Sequence, residues 1–148
     1  MDNQQVIATL SNLLAITEDG ERGFRTCAGG VTSPDLKMEL EDAARSCVES
    51  AAELQMKIRS LGGEPAASGT VAGALHRAWT DIVPRITGPG DRAVLDECKR
   101  GEDVAKQAYE EALVEDLPAD VEAIVRRQYQ EVTENHQRIR ELRDQAGS

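Results

Sequence analysis

Residues 33–63 read SPDLKMELEDAARSCVESAAELQMKIRSLGG, and this stretch decides the fold. Ser33 is a favoured N-cap, Pro34 suits the first helical position, and Asp35 places an acid in the first turn, where the helix dipole favours it. Leu36, Leu40, Ala43, Ala44, Cys47, Ala51, Leu54, Ile58 and Leu61 recur at steps of three and four, which is one apolar stripe of a long helix. Glu41, Glu49 and Glu53 all fall outside the stripe. Gly62 and Gly63 stop the helix.

The same period recurs on either side. A helix is predicted over about residues 3–27, carrying Val6, Leu10, Leu13, Thr17, Glu21, Phe24 and Ala28, with Ile7 and Leu14 widening the stripe and Gly29-Gly30 ending it. Two more are predicted over about 91–114 and 117–144. The third carries Val94, Leu95, Cys98, Gly101, Ala105, Tyr109 and Ala112, and the fourth Val121, Ile124, Val125, Gln128, Tyr129, Val132, His136, Ile139 and Leu142. Between the second and third lies a connection too long for a helical hairpin. It holds a short amphipathic helix over about 70–86, with Trp79, Ile82 and Val83 offering a possible interaction surface.

Short loops make the first and second helices antiparallel, and likewise the third and fourth. The long middle connection lets the second and third run parallel. The expected class is therefore all-α: a ferritin-like four-helix bundle with one long crossover connection carrying a short extra helix, in one domain over 1–148. The alternative is a plain up-down bundle with residues 69–86 as an independent fifth helix.

Composition narrows the chemistry. The chain has 27 acidic and 17 basic residues and a net charge of −10, which argues against nucleic acid or an anionic membrane as partner. Four aromatic residues (Phe24, Trp79, Tyr109 and Tyr129) make a base-stacking platform improbable. The opening MDNQQVIATL lacks the basic region of a signal peptide, and no run reaches the roughly 18 apolar residues of a membrane span, so a cytoplasmic location is expected. Cys27, Cys47 and Cys98 have neither the number nor the spacing of a disulfide framework or zinc site and read as buried thiols.

Carboxylate-bridged di-iron bundles take one Glu from each of two helices and a Glu-x-x-His pair from each of the other two. Here Gly73 stands three residues before His76, and Thr133 three before His136. No catalytic residue, cofactor or metal site is expected, and the remaining candidate ligands are Glu21, Glu102 and His136. Glu21 and His136 are expected to meet in the core, with the first and fourth helices antiparallel. His136 would then have a raised pKa and Glu21 a lowered one if they pair as ions.

Several segments resemble one family. These are Asp19-Gly20-Glu21-Arg22-Gly23-Phe24, Leu61-Gly62-Gly63-Glu64-Pro65, Ala74-Leu75-His76-Arg77-Ala78-Trp79, and Glu97-Cys98-Lys99-Arg100-Gly101-Glu102-Asp103. Tyr109-Glu110-Glu111-Ala112-Leu113, Gln128-Tyr129-Gln130-Glu131 and His136-Gln137-Arg138-Ile139-Arg140 complete the set. Together they make the chain similar to the uncharacterised, mostly proteobacterial four-helix-bundle proteins of domain of unknown function 2383, with Phe24 where a tyrosine is expected. The resemblance implies a ferritin-like fold and brings no activity with it. The expected function is thus a non-enzymatic bundle acting through its surface as a homo-oligomer. The alternatives are a degenerate metal-binding or oxidoreductase bundle, and a small-ligand pocket beneath the short helix at Trp79.

Overall fold

In a computed structural model the described residues are 1–65 and 90–146, and they form four α-helices. These are α1 (Asn3–Gly30), α2 (Pro34–Ser60), α3 (Asp91–Leu113) and α4 (Ala119–Ala146). No strand occurs among the described residues. The short helix expected over 70–86, with His76, Trp79, Ile82 and Val83, lies outside them.

Three of the helix ends have plain local causes. The Asp2 carboxylate accepts the Gln5 amide (2.8 Å) while the Gln5 side chain accepts the Asp2 amide (2.9 Å), satisfying two donors that have no partner inside α1. Ser33 Oγ accepts the Leu36 amide (3.3 Å) ahead of Pro34. Past the end of α2, Gly63 N–H donates to the Ile58 carbonyl (2.9 Å) and Gly62 N–H to that of Arg59 (3.0 Å), with Gly62 at φ +87°. That pair of bonds is a Schellman cap, and its left-handed residue is a position that favours glycine. α1 runs past its expected end, because Gly29 and Gly30 continue the helix instead of stopping it, and the last helix is shifted by two residues from its expected 117–144. The loop that follows α1 is held from outside: the Asp91 carboxylate accepts the Thr32 amide (2.7 Å), the Thr32 hydroxyl (2.9 Å) and the Ser33 amide (2.9 Å).

Contacts fix the directions. Thr9 meets Glu115, Thr17 meets Tyr109 and Thr32 meets Asp91, so α1 and α3 are antiparallel. Tyr109 bonds Gln128, Lys57 bonds Asp120 and Arg138 pairs with Glu39, so α4 opposes both α3 and α2. Gly63 lies against Ile7 near the start of α1, and Asp91 lies at the far end of α1. Residues 63 and 91 therefore lie at opposite ends of the bundle, and α2 and α3 are parallel. This is the one-crossover topology, and it excludes the plain up-down arrangement. In cross-section the helices form a square in which α1 touches α2 and α3, and α4 touches the same two. Along the diagonals α1/α4 and α2/α3 the backbones stay farther apart, with no Cα–Cα distance within 8 Å.

The stripes meet along the axis. Leu10, Leu13, Leu14 and Ile16 of α1 pack with Leu40, Leu54 and Ile58 of α2, Leu95 of α3, and Val121 and Val125 of α4. Burying side chains of this size stabilises the fold by roughly 1.5–3 kcal/mol each before conformational entropy is subtracted.

Candidate functional site

Halfway along the bundle the apolar core is interrupted by a layer to which all four helices contribute. Thr17 on α1 donates its hydroxyl to the Leu13 carbonyl one turn back (2.6 Å). Tyr109 on α3 donates to Gln128 Oε1 on α4 (2.8 Å). Gln128 Nε2 donates to Glu53 Oε1 (2.8 Å) and to the Ser50 carbonyl (3.3 Å), both on α2. Each of the two hydroxyl protons is then committed, so the 3.3 Å approach of Thr17 Oγ1 to Tyr109 Oη is a contact more than a bond. Burial pushes the Tyr109 phenol well above its ordinary range, so it stays a neutral donor. Glu53 is drawn up by partial burial, but the Arg127 and Gln128 hydrogen bonds outweigh that and hold it below the usual carboxylate range. The layer thus runs from a buried phenol to a Glu53–Arg127 ion pair at the surface.

Less than two turns along α3 from Tyr109 lies Glu102, whose side chain is 5% exposed. Burial, reinforced by Asp103, pushes its carboxyl up to about 8, against the opposing pull of Lys99 and Arg143. It is a neutral acid at pH 7 and therefore carries an O–H donor. His136 on α4 stands opposite, with Nδ1 4.0 Å from Glu102 Oε2 and Nε2 3.9 Å from Asp103 Oδ1. Nδ1 is buried and has no hydrogen-bond partner among the described residues. Burial lowers the imidazole pKa more than Asp103 raises it, with Lys106, Lys99 and Arg140 adding to the fall. Glu102 and His136 are therefore two neutral groups separated by slightly more than a hydrogen bond, not an ion pair.

A cavity of about 50 Å³ joins the two regions, lined by Ile16, Phe24, Cys47, Glu102, Tyr109 and Gln128 among others. It has room for a water or two. Burial, with Glu21 and Glu102 nearby, pushes the Cys47 thiol up to about 12, so no thiolate forms there. Cys98 is held protonated by its contact with Cys27 and by burial.

Of the three ligands suggested by sequence, the structure brings Glu102 and His136 together and leaves Glu21 apart. Glu21 pairs with Arg25 one turn on (2.8 Å), with a third of its side chain exposed. It sits on α1, diagonally across the bundle from α4. The expected Glu21–His136 pair is thus replaced by Glu102–His136, and the expected rise of the His136 pKa by a fall. Sequence reasoning placed Tyr109 and Gln128 on inward faces but did not join them. It also missed Glu53, which reaches the layer from the edge of α2's stripe. The residues present do not fit a dinuclear carboxylate centre. Mid-bundle positions carry hydroxyl, phenol and amide groups, and no group of three His, Cys, Asp or Glu residues that could hold a metal ion occurs among the described residues. None of the described helices is long and apolar enough to cross a membrane.

Four long helices with one crossover and a polar layer at half-height define a ferritin-like bundle. The chain is similar in structure to the bacterioferritin-related protein from Bacteroides fragilis, described as a dodecameric thioferritin. Identity is 18%, the match covers 95% of this chain and 85% of that one, and the TM-score is 0.75. More particularly, the chain belongs to the family of the domain of unknown function DUF2383, whose family model matches residues 5–115. Among curated proteins none matches the chain.

Proposed function

We propose that this protein is a cytoplasmic, non-enzymatic ferritin-like bundle that acts through its surface as a homo-oligomer. The observation that carries the reading is the hydrogen-bonded chain of Tyr109, Gln128 and Glu53 in the middle of the bundle, with Thr17 in contact with its phenol. Its donors and acceptors satisfy one another, so the layer fixes helix register and leaves few groups for a reactant. The reported dodecamer of the Bacteroides fragilis protein supports self-association. The net charge of −10 supports a partner other than nucleic acid or an anionic membrane. Sedimentation analysis tests the oligomer. A lone species of 16.1 kDa at high concentration would remove that part of the reading.

One observation favours a second reading, a degenerate metal-binding bundle. Glu102 Oε2 and the unpartnered His136 Nδ1 face each other at 4.0 Å. A single cation between them would find two protein ligands, with Glu21 contributing none. Elemental analysis of tag-free protein decides between the readings: a stoichiometric transition metal lost in both Glu102→Ala and His136→Ala supports the second, and a metal-free chain supports the first.

A further inference from the structure

The outward face of α2 has a property that the bundle itself does not use. Opposite the buried stripe, Met38 and Met56 are 63% and 70% exposed, the two most exposed large apolar side chains on this helix. They lie eighteen positions apart, which is five turns at 3.6 residues per turn, so they project along one line about 27 Å apart. Between them on that line, within about 20° of it, stand Arg45 and Glu49. The spacing is symmetric: Met38 is as far from Arg45 as Met56 is from Glu49. Asp35 and Arg59 stand three positions beyond the methionines but off the line, on opposite sides of it.

A line on which Met38 mirrors Met56 and Arg45 mirrors Glu49 is self-complementary under a two-fold axis. We infer that this face of α2 docks, antiparallel, on the same face of a second copy of the chain, with the axis passing between Arg45 and Glu49. Met38 then meets the partner subunit's Met56, and Arg45 meets the partner subunit's Glu49. The reciprocal pairs form at the same time. Methionine suits such a seam because its flexible thioether fills irregular gaps, while the charge pairs fix register and orientation. Met56 also lines a shallow, mostly apolar groove with Ala52 of α2 and Ile124 of α4, which gives the incoming Met38 a seat. Two acids converge at one edge of the seam, Asp42 and the partner subunit's Glu53. Within its own chain each is already paired with a cation, Arg45 for Asp42 and Arg127 for Glu53. Like charges there are offset in part, since Arg45 also faces the partner subunit's Glu49.

This inference rests on the homo-oligomer reading and adds the surface, the orientation and the register. Sedimentation velocity of the full chain should show a species of two chains, or a multiple of two, relative to the 16.1 kDa monomer. Met38→Glu and Met56→Glu should each lower its size at fixed concentration. Arg45→Glu and Glu49→Arg should each weaken association about tenfold or more, and the double variant Arg45→Glu/Glu49→Arg should recover most of the loss, as contact pairs do in double-mutant cycles. Oxidising a mixture of Met38→Cys and Met56→Cys chains should give a covalent dimer that neither variant gives alone. If the parent self-associates but these substitutions leave it unchanged, the α2 interface is wrong and the homo-oligomer reading stands. A parent that stays monomeric at high concentration overturns both.

Discussion

At the residue scale, the cost of burying Glu102 depends on pH in a direction that can be stated in advance. Its folded pKa, about 8, lies above the ordinary value of 4.5. Between those two values the folded chain holds a proton that the unfolded chain has released. Stability contributed at this site is therefore full below about 4.5, falls as pH rises, and levels off once Glu102 ionises in the folded state near 8. Glu102→Gln keeps the shape and removes the titration. The variant should match the parent near pH 4 and exceed it near pH 8, by on the order of 2–4 kcal/mol. Denaturant unfolding of both proteins across that range measures the gap, and a gap that does not change with pH would show that Glu102 is not held neutral. His136 acts in the opposite direction in acid. Its lowered pKa means that the unfolded state takes up a proton first as pH falls through about 6.5, so folding loses stability there. An NMR titration should place His136 below that value, whereas a midpoint above it would restore the ion-pair picture.

Tyr109 is the other residue whose removal has a defined consequence. Tyr109→Phe leaves the buried Gln128 Oε1 without its donor, a loss of about 1–3 kcal/mol. Combining it with Gln128→Leu removes both partners, and the double variant should lose less than the sum of the two single losses. Additive losses would mean that the hydrogen bond contributes nothing net.

At the element scale, α1 and α2 were legible in the sequence because burial follows the 3.6-residue period that the apolar residues mark. Leu36, Leu40, Ala43, Ala44, Ala51, Leu54 and Ile58 all returned as buried. The end of α1 was not legible. Gly29-Gly30 is a stop signal read locally, yet the helix continues through both residues. Asp91, about sixty positions away, takes up the Thr32 and Ser33 amides that follow. No local pattern reports a partner so distant. Asp91→Ala should destabilise the fold by about 1–2 kcal/mol through the loss of three hydrogen bonds to a carboxylate. Hydrogen exchange should locate the loosening at residues 28–36. Unchanged protection there would show that α1 ends where it does without help from Asp91.

At the scale of the whole molecule, periodicity gives each helix a face but does not say which helix is its neighbour. The long connection correctly implied that α2 and α3 are parallel. That same fact makes α1 parallel to α4 and puts the two on a diagonal, so Glu21 had no route to His136, and the carboxylates of α3 took that place. Burial is also uneven along this square. Val6 to Ala28 of α1 form an almost continuous buried face. On α4, by contrast, Val121, Val125 and Gln128 are buried, and then no residue is until Ile139. Local opening is easiest where apolar contacts are fewest. In native-state hydrogen exchange, amides of residues 10–16 should open only with global unfolding. Those beyond about residue 130 should exchange through a smaller local opening that depends weakly on denaturant. The stretch that opens first would then carry His136 away from Glu102, so alkaline pH, which adds a charge to Glu102, should speed exchange there more than in α1 after correction for the intrinsic rate. Uniform protection along α4, equal to that of α1, would show that the hydrogen-bonded layer at Gln128 holds the whole helix as firmly as the apolar core does.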